Sequence, residues 1–449
     1  MPPRQPILEK VMDQLRKYAV RYIILAAVFA FGILVAHRQW FPYSVYLDIR
    51  AFMAGSEDDD TSFVEKLISD SGGVPRRFIT PYAPADRTGL QETPIAGLNA
   101  RRAQPLMLLS KDAPRGYRVI FGAFDFVETL WGAILIDPEG KIVNTWRLST
   151  DDLPLNTEPA FRKNMYGVDI MRDGSVIFIM HEAGGGIVKV DYCGRKTWSI
   201  DGNYHHTMTL TEDGNFWTFE GMQTDFDHVL ALFNATSGEL VRRIDMKDVR
   251  AANPDTHIFW LQPGKKLLDA VHGNDIEPLP KELAADFPQF SAGDLLISYK
   301  MVNLVFVLDP STLKIKWWRI GPWNRQHDAD WNKGGYISIF SNNQAADIKF
   351  SNIVTITPEN FESRIPVKGA EYNLFSSFNG MHQITAAATT LITSSRQGRV
   401  VEVNADGQVV FEFVNQFDPA AGTALHLSNA RFLETGYFEF DEPPVCHKP

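Results

Sequence analysis

The chain is poor in cysteine and has a single long apolar run, and each scarcity narrows what it can be. Two cysteines in 449 residues, Cys193 and Cys446, exclude a cysteine-built zinc site and a disulfide-rich scaffold. One bridge in an oxidising compartment stays open, because spacing does not decide it. A formal net charge of −10 without any basic stripe argues against nucleic acid as a partner. The sequence holds no Asp-x-Asp-x-Asp calcium loop and no serine nucleophile elbow. What it has in quantity is apolar material, 45% of residues, enough to bury a large core.

The apolar run covers residues 22–36, 15 residues without a charge, and reaches 19 when Arg21 snorkels and Tyr18 is included. At 1.5 Å per residue that is ~22 to 29 Å of helix, just enough to cross a bilayer core. Arg4, Lys10, Arg16, Lys17 and Arg21 precede it, and Glu57, Asp58, Asp59 and Asp60 follow at a distance. Trp40, Tyr43 and Tyr46 suit the headgroup belt, and the run ends at His37-Arg38 with no small-x-small cleavage site. The pattern predicts a single-pass signal anchor in the inner membrane, with the N-terminus in the cytoplasm and the rest in the periplasm. The expected organisation is a basic N-terminus (1–21), a transmembrane anchor (18–38), a linker with a short helix at 62–70 (39–115), a β-domain (116–441) and a tail (442–449).

The β-domain repeats. Each unit opens with His-x-x-Asp-apolar or a variant of it, passes a small turn, and continues as β-branched and aromatic strands. A second half follows, with an Asp- or Asn-led turn and a strand that often holds tryptophan, as in Asp137…Gly140…Trp146 and Asp191…Gly194…Trp198. Two hairpins per unit, at a period of roughly 40 to 65 residues, predict four-stranded propeller blades. Units begin near Tyr166, His206, His272, His327 and His382. A sixth is split, its later strands in 117–148 and its first strand in 428–433, so that pairing the two removes a free edge. The reading is an all-β, six-bladed β-propeller behind an N-terminal transmembrane helix.

Aligning the units puts Tyr166, His206, His272, His327, His382 and Ser428 in one column. The chain has only 11 histidines, and chance fills four of six such positions about once in ten thousand trials. In a propeller the first strands line the axis, so these residues converge on one mouth. Lys300 and Arg396 end second strands and face the same volume. Two chemistries suit such a ring. Imidazoles from separate blades can ligate a transition metal. Alternatively, one imidazole is the nucleophile toward a phosphoryl or sulfuryl group, while the others and a cation hold its oxygens.

The residues His205-His206, His272-Gly273-Asn274-Asp275, Ser298 and Gln326-His327-Asp328-Ala329-Asp330 together resemble the bacterial arylsulfotransferase superfamily over roughly residues 116–436. The resemblance implies a six-bladed propeller acting outside the cytoplasm. It would move a sulfuryl group from a phenolic sulfate ester to a phenol through a sulfated histidine, with no nucleotide sulfate donor such as PAPS and no cofactor. It further implies His327 as nucleophile and His206 and His272 as ligands of the sulfuryl oxygens or handlers of the phenol proton; His205, His382, Asp275, Asp330 and Arg396 are read beside them as supporting residues. Where the family carries an essential arginine this chain has Lys300, and the family's N-terminal β-domain gives way to the anchor and linker. Two other readings stand beside it: a propeller without catalysis serving as a membrane-tethered assembly subunit, and a histidine-ligated metal enzyme. The segment 278–292 interrupts a blade after the His272 motif. It is expected to lie away from the histidine mouth and to present Phe287 and Phe290 to a protein partner or to the membrane-proximal linker.

Overall fold

A computed structural model describes the chain from Ala100 onward except residues 104, 128, 151–152, 154–163, 182–184, 222–227, 260–270, 344–348, 419, 441 and 447–449. It also describes the isolated positions 18, 19, 22, 28, 31, 74, 78–81, 92–94 and 98. The chain divides into two compact units, Met1–Pro75 and Arg76–Pro449. In the first, Tyr18, Ala19, Tyr22, Val28 and Phe31 are helical and exposed. The rest of the expected anchor, and the 62–70 helix, lie outside the described residues. Among the described residues no helix is long and apolar enough to cross a membrane.

The second unit is all-β. Sheet 1 runs Asn164–Ile170, Val176–His181, Ile187–Val190, Lys196–Ile200, and sheet 2 runs Tyr204–Leu210, Asn215–Glu220, Val229–Asn234, Leu240–Asp245. Sheet 3 is Gly273–Pro278, Leu295–Tyr299, Leu304–Asp309, Lys314–Ile320, and sheet 4 is Ala329–Asn332, Tyr336–Ser341, Asn352–Ile356, Ser363–Val367. Each is an antiparallel meander. Sheet 5, Met381–Ile384 through Val409–Val414, is extended at its outer edge by Leu106–Leu109 and Glu92–Pro94 from the linker. Sheet 6 joins distant parts of the chain: Leu427–Glu434 pairs with Gly116–Ala123, which continues into Trp131–Ile136 and Ile142–Arg147. A small third-party sheet pairs Ile79–Pro81 with Thr423–Leu425.

Turn chemistry explains the hairpins. Asp137 Oδ1 accepts the backbone N–H groups of Glu139 and Lys141, while Gly140 takes φ +83°. Asn404 and Gly407 (φ +78°) repeat the device. The strands alternate so that both faces of each middle strand are apolar, and consecutive sheets pack face to face. Ile177 and Ile179 of sheet 1 meet Phe216 and Phe233 of sheet 2, and Phe219 of sheet 2 meets Ile297 and Phe306 of sheet 3. The same packing continues through sheets 4, 5 and 6. Sheet 6 returns to sheet 1, where buried Trp146 donates from Nε1 to Asp191 O (3.1 Å) and packs edge-on against Tyr192. Burying one such aromatic contributes about 1.5 to 3 kcal/mol. Beside this seam Cys193 and Cys446 form a disulfide.

The segment 278–292 departs from expectation. Phe287 and Phe290 are buried, not presented to solvent, and both set their rings edge-on against Trp331 (centroids 4.7 and 5.3 Å). The short 3-10 turn Ala284–Asp286 folds the segment back, and Asp286 Oδ2 accepts the N–H of Gly334. The segment thickens the core between sheets 3 and 4, so exposed aromatics offer no argument for a partner there.

Candidate active site

The first strands of all six sheets line one cavity of about 340 Å³, with Tyr166, His206, Glu277, Asp330, His382 and Arg431 among its walls. The repeat column marks irregularities in those strands. Register shifts fall between Met165 and Val168, His205 and Thr209, Gly273 and Asp275, and Leu427 and Asn429. His206 and His272 hold φ +62° and +52°. A bulge re-aims one side chain, and left-handed backbone at a non-glycine residue costs of order 1 kcal/mol or more. Here that distortion turns the imidazoles toward one another. Gly273 is required beside His272, since a Cβ there would come within 2.6 Å of the Phe219 ring.

His206 is central. Its ring stacks on Tyr166 (5.1 Å, 7° between planes) and meets His272 edge-on at 4.6 Å. Its Nδ1 lies 2.9 Å from Nδ1 of His205, so the two neutral rings share one proton there. His205 is fully buried, stacked on Phe219 and edge-on to His181 and His228. Burial, reinforced by the neighbouring imidazoles, holds His205 and His206 well below the ordinary histidine range.

His327 sits just before the strand Ala329–Asn332, anchored by its N–H to Phe340 O (3.0 Å). Its Nδ1 lies 2.7 Å from Asn342 Oδ1, and its Nε2 accepts the backbone N–H of Asn379 (3.0 Å). Burial first, then the charge of Lys300, keeps this ring neutral at far lower pH than a free histidine. Lys300 itself is fixed beside His272, whose carbonyl accepts its N–H at 3.0 Å. Gln326 ties the neighbourhood together, donating to Ser298 Oγ, Tyr299 O and Leu304 O, while Asn274 Nδ2 donates to Gln326 O.

The other expected residues are placed as follows. Asp275 is a latch: it accepts from Thr207 Oγ1 (sheet 2) and from the N–H of Ala329 (sheet 4), both at 2.9 Å. His382 is separate from the cluster, with Nδ1 on Asp328 Oδ2 (2.5 Å) and Nε2 on Ser338 Oγ (2.6 Å). Asp330 lies 3.5 Å from His382 Nε2. Among the described residues Asp328, Asp330 and His382 are the group whose ligand atoms come within 4.8 Å of one another. That set is two carboxylates and one imidazole, not the ring of four imidazoles. Arg396 stacks over Phe378 (4.3 Å), the residue before Asn379. Sequence reasoning missed Asn342, Asn379, His181 and His228. A signal existed for two of them: His181 and Asn342 end second strands, the register that singles out Lys300 and Arg396.

Glu277, Asp328 and Asp330 make part of the cavity wall acidic, and Asp275 is buried close by. Asp275 and Asp328 are pushed up to about 7, by burial in both and in Asp275 also by the charge of Asp328. Glu277 is raised well above the carboxylate range by burial and by Asp275, Asp330 and Asp328. A carboxyl raised in the folded state favours folding below its unfolded value, and that contribution is lost as pH rises through the folded value. Glu277→Gln keeps an acceptor for Thr209 Oγ1 and removes the ionisation. The variant is expected to melt on the order of 2 °C higher than the wild type at pH 9, about 1 kcal/mol, and at the same temperature at pH 5. Melting curves across that range check it; a gain independent of pH would point to packing instead.

An all-β chain of meandering sheets thus carries a site centred on buried, neutral histidines flanked by a lysine. The sequence profile of the Arylsulfotransferase (ASST) family matches residues 167–416, more than half of the chain, and the protein belongs to that family. No curated protein matches it. Similar solved structures are remote. A protein of unknown function from Bacteroides caccae is 13% identical (TM-score 0.47, covering 72% of this chain and 100% of that one). TolB from Acinetobacter baumannii is 9% identical (TM-score 0.45, covering 71% and 66%). Likenesses this distant carry nothing about activity.

Proposed function

We propose that this chain is a six-bladed propeller that transfers a sulfuryl group between a phenolic sulfate ester and a phenol, with His327 as the covalent carrier. The observation that carries the reading is the edge-on contact of His206 with His272, whose carbonyl holds the Lys300 backbone N–H, with a buried His327 that feels the charge of Lys300, in a chain of this family. Burial and the lysine charge keep His327 unprotonated, as a nitrogen nucleophile must be. The lysine charge also suits three sulfuryl oxygens in a loose transition state. In this reading neutral His206, paired at Nδ1 with His205, is the base for the acceptor phenol's proton.

The same reading puts the propeller in the periplasm, held by the 18–38 anchor. The Cys193–Cys446 bridge favours an oxidising compartment, and the charge bias around the apolar run favours an outward-facing domain.

The test is turnover of a chromogenic aryl sulfate with a phenol acceptor by the full-length protein, with acid-quenched samples searched for a sulfated histidine. Transfer without a nucleotide sulfate supports the reading; no transfer over a panel of aryl sulfates sinks it. Lys300→Arg is expected to raise kcat several-fold, because a planar guanidinium pairs two oxyanions where an ammonium pairs one. Lys300→Met is expected to lower it at least about tenfold, a change of ~1.4 kcal/mol in the barrier. An unchanged rate in both would remove the lysine from the site.

A further inference from the structure

We infer that Asn342 is the positioning residue that selects the tautomer of His327, holding the proton on Nδ1 and leaving the lone pair on Nε2. Asn342 is fully buried, and its Nδ2 donates to two backbone carbonyls, Ser376 O at 2.8 Å and Asn379 O at 2.7 Å. Carbonyls only accept, so the amide nitrogen must face them, and Oδ1 must face His327 Nδ1 at 2.7 Å. That oxygen has no hydrogen to give. Nδ1 therefore carries the ring's single proton. The other side of the ring agrees independently, since the Asn379 N–H, which only donates, lies 3.0 Å from Nε2. Flipping the amide would lose both carbonyl bonds inside the fold, where unpaired polar groups are costly.

The assignment rests on the proposed reaction only for its consequence in turnover. In the first half-reaction the Nε2 lone pair forms the N–S bond, the aryl O–S bond breaks, and the phenolate leaves with its electron pair, taking its proton from solvent. Positive charge then develops on a ring that still holds Nδ1–H, and its bond to Asn342 Oδ1 strengthens. In the second, the acceptor oxygen attacks sulfur as its proton is removed, and the N–S pair returns to Nε2. The Asn379 N–H must give up Nε2 before sulfur can reach it, so the 376–379 segment that Asn342 grips is also what guards the nucleophile.

The experiment is nitrogen NMR on the full-length protein with histidine labelled in both ring nitrogens, His327 being assigned by comparison with His327→Gln. A pyrrole-type Nδ1 and a pyridine-type Nε2 are expected in the wild type. Asn342→Leu is expected to move the proton partly or wholly to Nε2 and to lower kcat about 10- to 100-fold, with KM for the aryl sulfate changed less than about threefold. Asn342→Asp retains the acceptor and is expected to keep the wild-type tautomer. A pyridine-type Nδ1 in the wild type, or an unaltered His327 spectrum in Asn342→Leu, overturns the inference. The expected spectra from a protein that transfers no sulfate would uphold the tautomer assignment and defeat the sulfotransferase reading.

Discussion

His327→Ala is expected to reduce sulfuryl transfer by at least about a thousandfold and to abolish the trapped sulfated histidine. In the proposed reaction the variant removes the one nitrogen through which the two half-reactions are joined. Its neighbours are engaged differently: His206 and His205 share a proton between their Nδ1 atoms, and His382 Nδ1 is paired with the Asp328 carboxylate. The fold survives the change, because the backbone bond from residue 327 to Phe340 O does not depend on the side chain. The orphaned Asn342 Oδ1 and Asn379 N–H cost about 1 to 3 kcal/mol, so melting is to be measured alongside turnover. By contrast, His206→Ala is expected to leave donor binding largely intact. Wild-type turnover in the His327 variant would end the covalent mechanism.

The largest expected loss of stability lies between sheets 5 and 6. Glu402→Ala is expected to cost about 3 to 5 kcal/mol, because it strands a buried guanidinium. Arg118 in sheet 6 donates from Nε and Nη2 to Glu402 Oε2 in sheet 5 at 2.9 and 2.6 Å, and both residues are buried. The guanidinium also lies over the rings of Phe411 and Phe432, and Thr389 donates to Glu402 Oε1 at 2.6 Å. Taking away the carboxylate leaves the cation with the Pro114 carbonyl and two aromatic faces. The double change Arg118→Met with Glu402→Leu removes both charges and is expected to recover most of the loss. Chemical denaturation of the wild type and the two variants decides it: equal damage in the single and double variants would mean that packing, not an unpaired charge, is at stake.

The fold was legible where local chemistry forces it. Asp- and Asn-led turns with glycine at positive φ declared the hairpins, and repetition declared that the hairpins stack. The split sheet was readable because the 428–433 stretch has the pattern of a first strand with no partners nearby in sequence. The histidine column was legible as well, although its physical cause, a bulge at the column in several first strands, was not. The sequence could not reveal that Phe287 and Phe290 turn inward, since a loop's burial depends on what it folds against, here Trp331. Nor could it reveal Asn342. An asparagine at a strand end is ordinary until two carbonyls fix which way its amide points. His382 shared the column but not the cluster, because Asp328 and Ser338 claim its nitrogens.

The pairing of Gly116 with Glu434 also bears on how such a protein is made. A chain emerging N-terminus first exposes the Gly116–Ala123 strand long before its partner Leu427–Glu434 exists. For some three hundred residues of synthesis that edge is an unsatisfied row of amides and carbonyls, able to capture another chain. The Cys193–Cys446 bond has the same schedule, since its second sulfur arrives last. Closure is therefore a late, long-range event, slow in the way that non-local strand pairing is slow. Maturation then depends on keeping that edge shielded and oxidising the thiols only after the final strand has docked.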